Sequence, residues 1–183
     1  MTATRARTSA LLLVASLLLA AGVASAEPRD PGEFFFDSTF GDFREELAKA
    51  KDEGKKGVLV MFEMDDCPFC QRMKATVLNQ PEVQDFYRAN FVVLPLDIEG
   101  DLEITDFAGK HTTQKAMALD EYRVRATPVF GFFDLDGKMV VRYTGATKDV
   151  AEFMLLGRFV ADGAYANTNF PTYKREQQKA AKP

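Results

Sequence analysis

The sequence predicts a single α/β domain, a central mixed sheet of four to five strands flanked by helices. Three observations carry this prediction. GVLVMFE (57–63) and FVVLPLDI (91–98) are continuous apolar runs of strand length, the pattern of strands buried on both faces. The residues between them are helically patterned, so the two strands should be parallel neighbours joined by a crossover. Finally, PVFGFFDLDGKMVVRYTG places two strand-like runs around Asp136-Gly137, a hairpin signal.

The elements follow in chain order. Residues 1–26 read as a secretory signal peptide. Arg5 and Arg7 precede the apolar run LLLVASLLLA, and Ala24-Ser25-Ala26 forms an A-x-A cleavage site, with cleavage expected near Ala26. The run is shorter than the roughly 20 apolar residues of a membrane span. No cysteine stands near the cleavage site to carry a lipid anchor. A mitochondrial transit peptide is the rival, since it too is Arg-bearing and acid-poor, but this block is compact rather than amphipathic. Residues 27–40 form a loose leader whose Phe34, Phe35 and Phe36 should dock on the core. A first helix is expected over 41–54, with Phe43, Leu47 and Ala50 on one face and Gly54 as its stop. Helices should follow from Pro68 to about Leu78 and over PEVQDFYRA, where Pro81 suits a first helical turn. Between Glu99 and Val124 the pattern is weaker, with EITDF as a short strand and TTQKAMALDEYRV as a helix capped by Thr112 or Thr113. KDVAEFMLLGRFVADGAY is the closing amphipathic helix of a 41–168 domain, and 169–183 is a polar tail expected to fray.

Charge excludes one class of partner. Loss of Arg5 and Arg7 with the signal peptide leaves 21 basic against 27 acidic residues, a net charge of −6, and no basic stripe is present. Nucleic acid is therefore a poor partner.

Chemistry concentrates in two cysteines, Cys67 and Cys70, a few residues beyond the end of an expected strand and at the mouth of an expected helix. Three residues apart, they cannot staple distant parts of a fold. A closed zinc site needs four ligands, and the chain offers no second CxxC and one histidine, His111, which reads as a surface residue. Redox chemistry leads. A helix N-terminus stabilises a thiolate on the first cysteine, making Cys67 the attacking sulfur, while Cys70 lies one turn on and can close an internal disulfide. Strand, CxxC and helix in succession is a far more specific signal than the dipeptide spacing alone.

CPFC after VLVMFE, the segment VRATPVFGFFD and Gly145 in YTGAT resemble the active-site motif, proline loop and glycine of the thioredoxin superfamily over residues 40 to 165. The long segment 99–125 is similar to exported thioredoxin-like proteins encoded with bacterial sulfur-oxidation genes (SoxW-like). The resemblance implies a cis peptide bond at Thr127-Pro128, opposite the cysteines, with the Thr127 backbone pairing an extended substrate. From the residues alone an ordinary strand-edge proline remains open. Gly145 would let a partner backbone approach the sulfurs, though a turn glycine is an equal reading. Phe69 would line the rim of the site or pack on the core.

Two departures bear on mechanism. Met61 stands where thioredoxin keeps a buried acid, with Glu63 as the nearest substitute and a solvated or structural role its first reading. Asp66 replaces the usual Trp before the first cysteine. Asp65 and Asp66 disfavour a thiolate on Cys67 and hence favour electron donation. The expected function is reduction of disulfides in exported proteins or small disulfides, in the periplasm, recharged by a membrane electron donor, with no metal or organic cofactor required. The alternatives are an oxidase or isomerase on the same fold, or a binding or chaperone module. The client and the oligomeric state are not legible.

Overall fold

The computed structural model describes residues 27–181; the expected signal peptide lies outside the described residues. A four-stranded mixed sheet in the order β2-β1-β5-β6 forms the centre, from strands β1 (Gly57–Glu63), β2 (Phe91–Asp97), β5 (Val129–Phe133) and β6 (Met139–Thr144). β1 and β2 are parallel, as the two apolar runs predicted, while β5 runs antiparallel to β1 and β6 antiparallel to β5. The crossover from β1 to β2 is made by α3 (Pro68–Thr76) and α4 (Pro81–Asn90). A separate two-stranded sheet pairs β3 (Glu103–Thr105) with β4 (His111–Thr113).

Strand alternation divides the core in two. Leu59, Met61, Val93, Phe130 and Phe132 face a layer made by α3, α4 and α6 (Val150–Ala161). Val58, Val60, Phe62, Val92, Leu94 and Leu96 face α2 (Phe43–Asp52) and the β3–β4 sheet. The first layer is built on rings. Tyr87 is fully buried, stacks on Phe153 at 4.4 Å and donates its hydroxyl to the Phe153 carbonyl at 2.6 Å. That hydrogen bond satisfies the one polar atom the ring carries into the core. Gly157 lets α6 approach α4, since a β-carbon there would lie 2.6 Å from the Phe86 ring.

The leader is better ordered than its composition suggests. Asp30 caps the short α1 (Pro31–Phe34), and Arg29 bonds Gln84 and Asp85 on α4. Phe35 and Phe36 are buried, as expected, whereas Phe34 is only half-buried, beneath the Arg29 guanidinium. Asp37 plugs the open edge of β2: its N–H donates to the Val93 carbonyl at 2.7 Å, and its Oδ2 accepts from the Val93 N–H at 2.8 Å. An edge strand needs such cover.

Two expectations are corrected. Residues 169–181 are not a loose tail: Asn169 caps helix α7 (Phe170–Ala180), Phe170 is buried, and Lys174 pairs with Glu152 at 2.6 Å. The apolar Phe170 and Tyr173 on an otherwise polar helix dock it on the core. The helix expected over 112–124 is also shorter. Thr113 caps a single turn, α5 (Gln114–Ala116), which passes into a π-helical turn over Met117–Glu121 and ends at Arg123 in a left-handed conformation, φ +51°. His111 is exposed, as expected, at the start of β4.

Candidate active site

The register of the sheet decides what meets at its end. Phe62 near the C-terminus of β1 pairs with Val129 at the start of β5, and Val129 pairs with Thr144 at the end of β6. The loops that follow β1, precede β5 and follow β6 therefore emerge together. They carry Cys67, Thr127-Pro128 and Gly145.

Cys67 is the N-cap of α3, extended at φ −119°, with Pro68 at the first helical position where no N–H is missed. Its sulfur accepts the Cys70 N–H at 3.0 Å and is bonded to Cys70 in a disulfide, with Cα atoms 5.2 Å apart. Both cysteines are almost fully buried, at 2% and 1% exposure, in the cluster that contains Met61, Met73 and Phe130. Phe69, between them in sequence, is 60% exposed, so of the two readings the ring belongs to the surface beside the disulfide and not to the core. Asp65 and Asp66 are exposed in the turn before Cys67, and among the described residues neither forms an ion pair.

The Thr127-Pro128 bond is cis. Thr127 Oγ1 is buried without a hydrogen-bond partner. Gly145 donates its N–H to the Pro128 carbonyl at 2.8 Å and has φ +94°, a conformation that favours glycine, with open space where a β-carbon would stand. A turn glycine and an uncrowded approach are thus both present at one residue. The cysteine helix joins this group through Arg72, whose guanidinium donates to the Thr147 carbonyl at 3.0 Å.

Met61 is fully buried, so no carboxylate stands at that position beneath the disulfide. Glu63, two residues on, is paired with Lys74 of α3 at 2.6 Å, and the Lys74 ammonium also lies over the Phe36 ring at 5.8 Å. Its role as seen is to tie α3 to β1. Sequence reading missed Arg72 and Arg142, whose side-chain partners lie 75 and about 20 residues away. No local signal marks either.

A disulfide spanning the first turn of a helix, at the end of the central strand and at the same end of the sheet as a cis-proline loop, defines a thioredoxin-like disulfide oxidoreductase fold. The chain belongs to the family of thioredoxin-like domains, whose sequence profile matches residues 43–161. Among solved structures it is similar to a thioredoxin from Thermus thermophilus, at 30% identity and a TM-score of 0.54 over 69% of this chain and 91% of that one. It is also similar in fold to a thioredoxin-fold protein from Helicobacter pylori, with 21% identity, a TM-score of 0.57 and coverage of 70% and 88%. A putative disulphide-isomerase from Bacteroides thetaiotaomicron aligns at 24% identity and a TM-score of 0.53 over 70% and 97%. No curated protein sequence matches the chain.

Proposed function

We propose that the protein is an exported thiol–disulfide oxidoreductase of the periplasm, of the SoxW-like kind, that reduces disulfides of exported proteins or small disulfides. The observation that carries this reading is the Cys67–Cys70 disulfide at the N-terminus of α3, buried just beneath the surface that carries the exposed Phe69. In the reduced protein the Cys67 thiolate attacks one sulfur of the substrate disulfide and displaces the other as a thiolate. The Cys70 thiolate then attacks Cys67 Sγ, releases the second substrate thiol and closes the internal disulfide. Two electrons pass to the substrate, and a membrane electron donor must return them. Thr127 and Pro128 hold an extended substrate backbone, while Phe69 and Gly145 line its path.

The reductive direction rests on the exposed Asp65 and Asp66, whose charge opposes a thiolate on Cys67 and so favours its use as an electron donor.

The test is the redox equilibrium of the pair against glutathione and dithiothreitol buffers, read by thiol alkylation and mass because the chain has no Trp. A potential near the roughly −270 mV of thioredoxin is expected, and one near the roughly −120 mV of the strong periplasmic oxidant would overturn the direction. Cys67→Ser should abolish exchange, and Cys70→Ser should accumulate the mixed disulfide. Unchanged client binding and phenotype in Cys67→Ser would make the protein a binding module instead.

A further inference from the structure

We infer that Arg142 is a positioning residue for the Thr127-Pro128 loop, and that it sets affinity for extended peptide disulfides without acting on the sulfurs. The inference rests on the oxidoreductase reading above.

The segment that delivers Pro128 to β5 begins at an unusual place. The π-helical turn Met117–Glu121 closes with the Tyr122 N–H on the Met117 carbonyl, and the Val124 N–H then returns to the Ala118 carbonyl at 2.9 Å. Between them Arg123 takes a left-handed conformation, φ +51°, which a non-glycine residue holds only where its surroundings insist on it. Arg142 supplies that insistence. From β6 its guanidinium donates Nη1–H to the Tyr122 carbonyl at 2.5 Å and Nη2–H to the Arg123 carbonyl at 3.4 Å. A planar fork of donors suits two successive carbonyls better than an ammonium does.

The other end of the same loop is held from just beyond the end of the same strand. Three residues beyond Arg142, the Gly145 N–H binds the Pro128 carbonyl at 2.8 Å. β6 and the glycine that follows it thus grip residues 122–128 at both ends, by the Arg142 side chain at one and by the Gly145 backbone at the other. Val124, buried between them, fixes the depth of the loop, and Arg125 and Ala126 are exposed. A substrate that pairs with the Thr127 backbone must find that backbone already placed, since misplacement is felt as lost affinity. A small disulfide that meets only the sulfurs does not use the loop.

Arg142 is itself exposed, and its loss leaves carbonyls that water can reach, so the fold should survive the change. Arg142→Met keeps the aliphatic stem and removes the donors, and Arg142→Lys restores one. Exchange should be measured with a linear peptide disulfide and with 5,5′-dithiobis(2-nitrobenzoate), alongside the Cys67–Cys70 potential and the melting temperature. For Arg142→Met we expect KM for the peptide to rise about tenfold with kcat within about twofold. The rate with the small disulfide and the potential should stay unchanged, and Arg142→Lys should fall between. Wild-type kinetics with the peptide, or an equal loss on both disulfides with a lowered melting temperature, would overturn the inference. Failure of the wild-type protein to exchange with either disulfide would instead overturn the oxidoreductase reading on which the inference stands.

Discussion

The two faces of the sheet are packed differently, and one carboxylate beside each is shifted in the opposite direction. On the face that holds the disulfide, aromatic rings carry the packing, with Phe35, Tyr87, Phe91, Phe132 and Phe153 in one contact network. The strands present mainly Val and Leu to the other face, where they meet Leu47, Ala50, Ile98, Ile104 and Met117, with Phe43, Phe62 and Phe133 among them. Rings stacked against helices make a rigid floor, and the cysteine helix is seated on it. The opposite face instead accommodates a two-stranded insertion and an irregular π-helical turn, and from it springs the loop that ends at Pro128. The sulfur pair and the loop that faces it are thus supported from opposite sides of one sheet.

Removing a ring from the disulfide face should produce the largest effect. Phe153→Ala deletes the partner stacked on Tyr87 and leaves a cavity that the surrounding rings cannot collapse to fill, at a cost of about 3–5 kcal/mol in urea unfolding. A similar loss from Leu47→Ala on the other face would erase the distinction. Phe170→Ala should come next. It uncouples α7 from Phe159 and Tyr143, and because Phe170 sits at the margin of the core the cost should be about 2–3 kcal/mol, with faster proteolysis of the C-terminal helix.

The smallest effects, and the sharpest contrast, concern pH. Burial pushes the Glu121 carboxyl up, the nearby Asp106 carboxylate adds to the rise, and Lys110 offsets part of it. Burial also acts on Glu152, but the hydrogen bonds from Lys174 and from the Lys148 N–H outweigh it and hold this carboxyl below its usual value. The signs are therefore opposite. The folded state holds the Glu121 proton more tightly than the unfolded chain, so that contribution to stability is complete below the usual carboxyl value of 4.5 and is lost as pH rises through the raised one. The Glu152 contribution is present above 4.5 and is lost as pH falls through the lowered value. Melting temperatures measured across pH should show Glu121→Gln flattening the decline on the alkaline side of this window and Glu152→Gln flattening it on the acid side. A common response of both variants would refute the opposition between the two carboxylates.

Much of this architecture was legible in the chain. The runs 57–63 and 91–98 became parallel central strands because a strand buried on both faces must be apolar at every position. Asp136-Gly137 turned the last hairpin as expected, with the Gly137 N–H on the Asp134 carbonyl and φ +76° at the glycine. What escaped sequence reading depended on distant partners. Asp37 guards the β2 edge because Val93 lies beside it, 56 residues away. α7 was hidden by its polar composition, because two aromatic residues suffice to dock a helix once a complementary face exists. The pairing of His111–Thr113 with β3, and the left-handed Arg123 that cuts the expected helix short, likewise follow from what lies across the fold.

By itself the sequence determined the order of the main strands and helices and the position of Cys67 at the cap of α3, since periodicity, caps and turn residues act within a few positions along the chain. Only the tertiary structure decided that Cys67, Pro128 and Gly145 share one end of the sheet and that Arg72 and Arg142 brace the loops around them. Those facts depend on strand register and on which surfaces meet, and neither is written in any one stretch of residues.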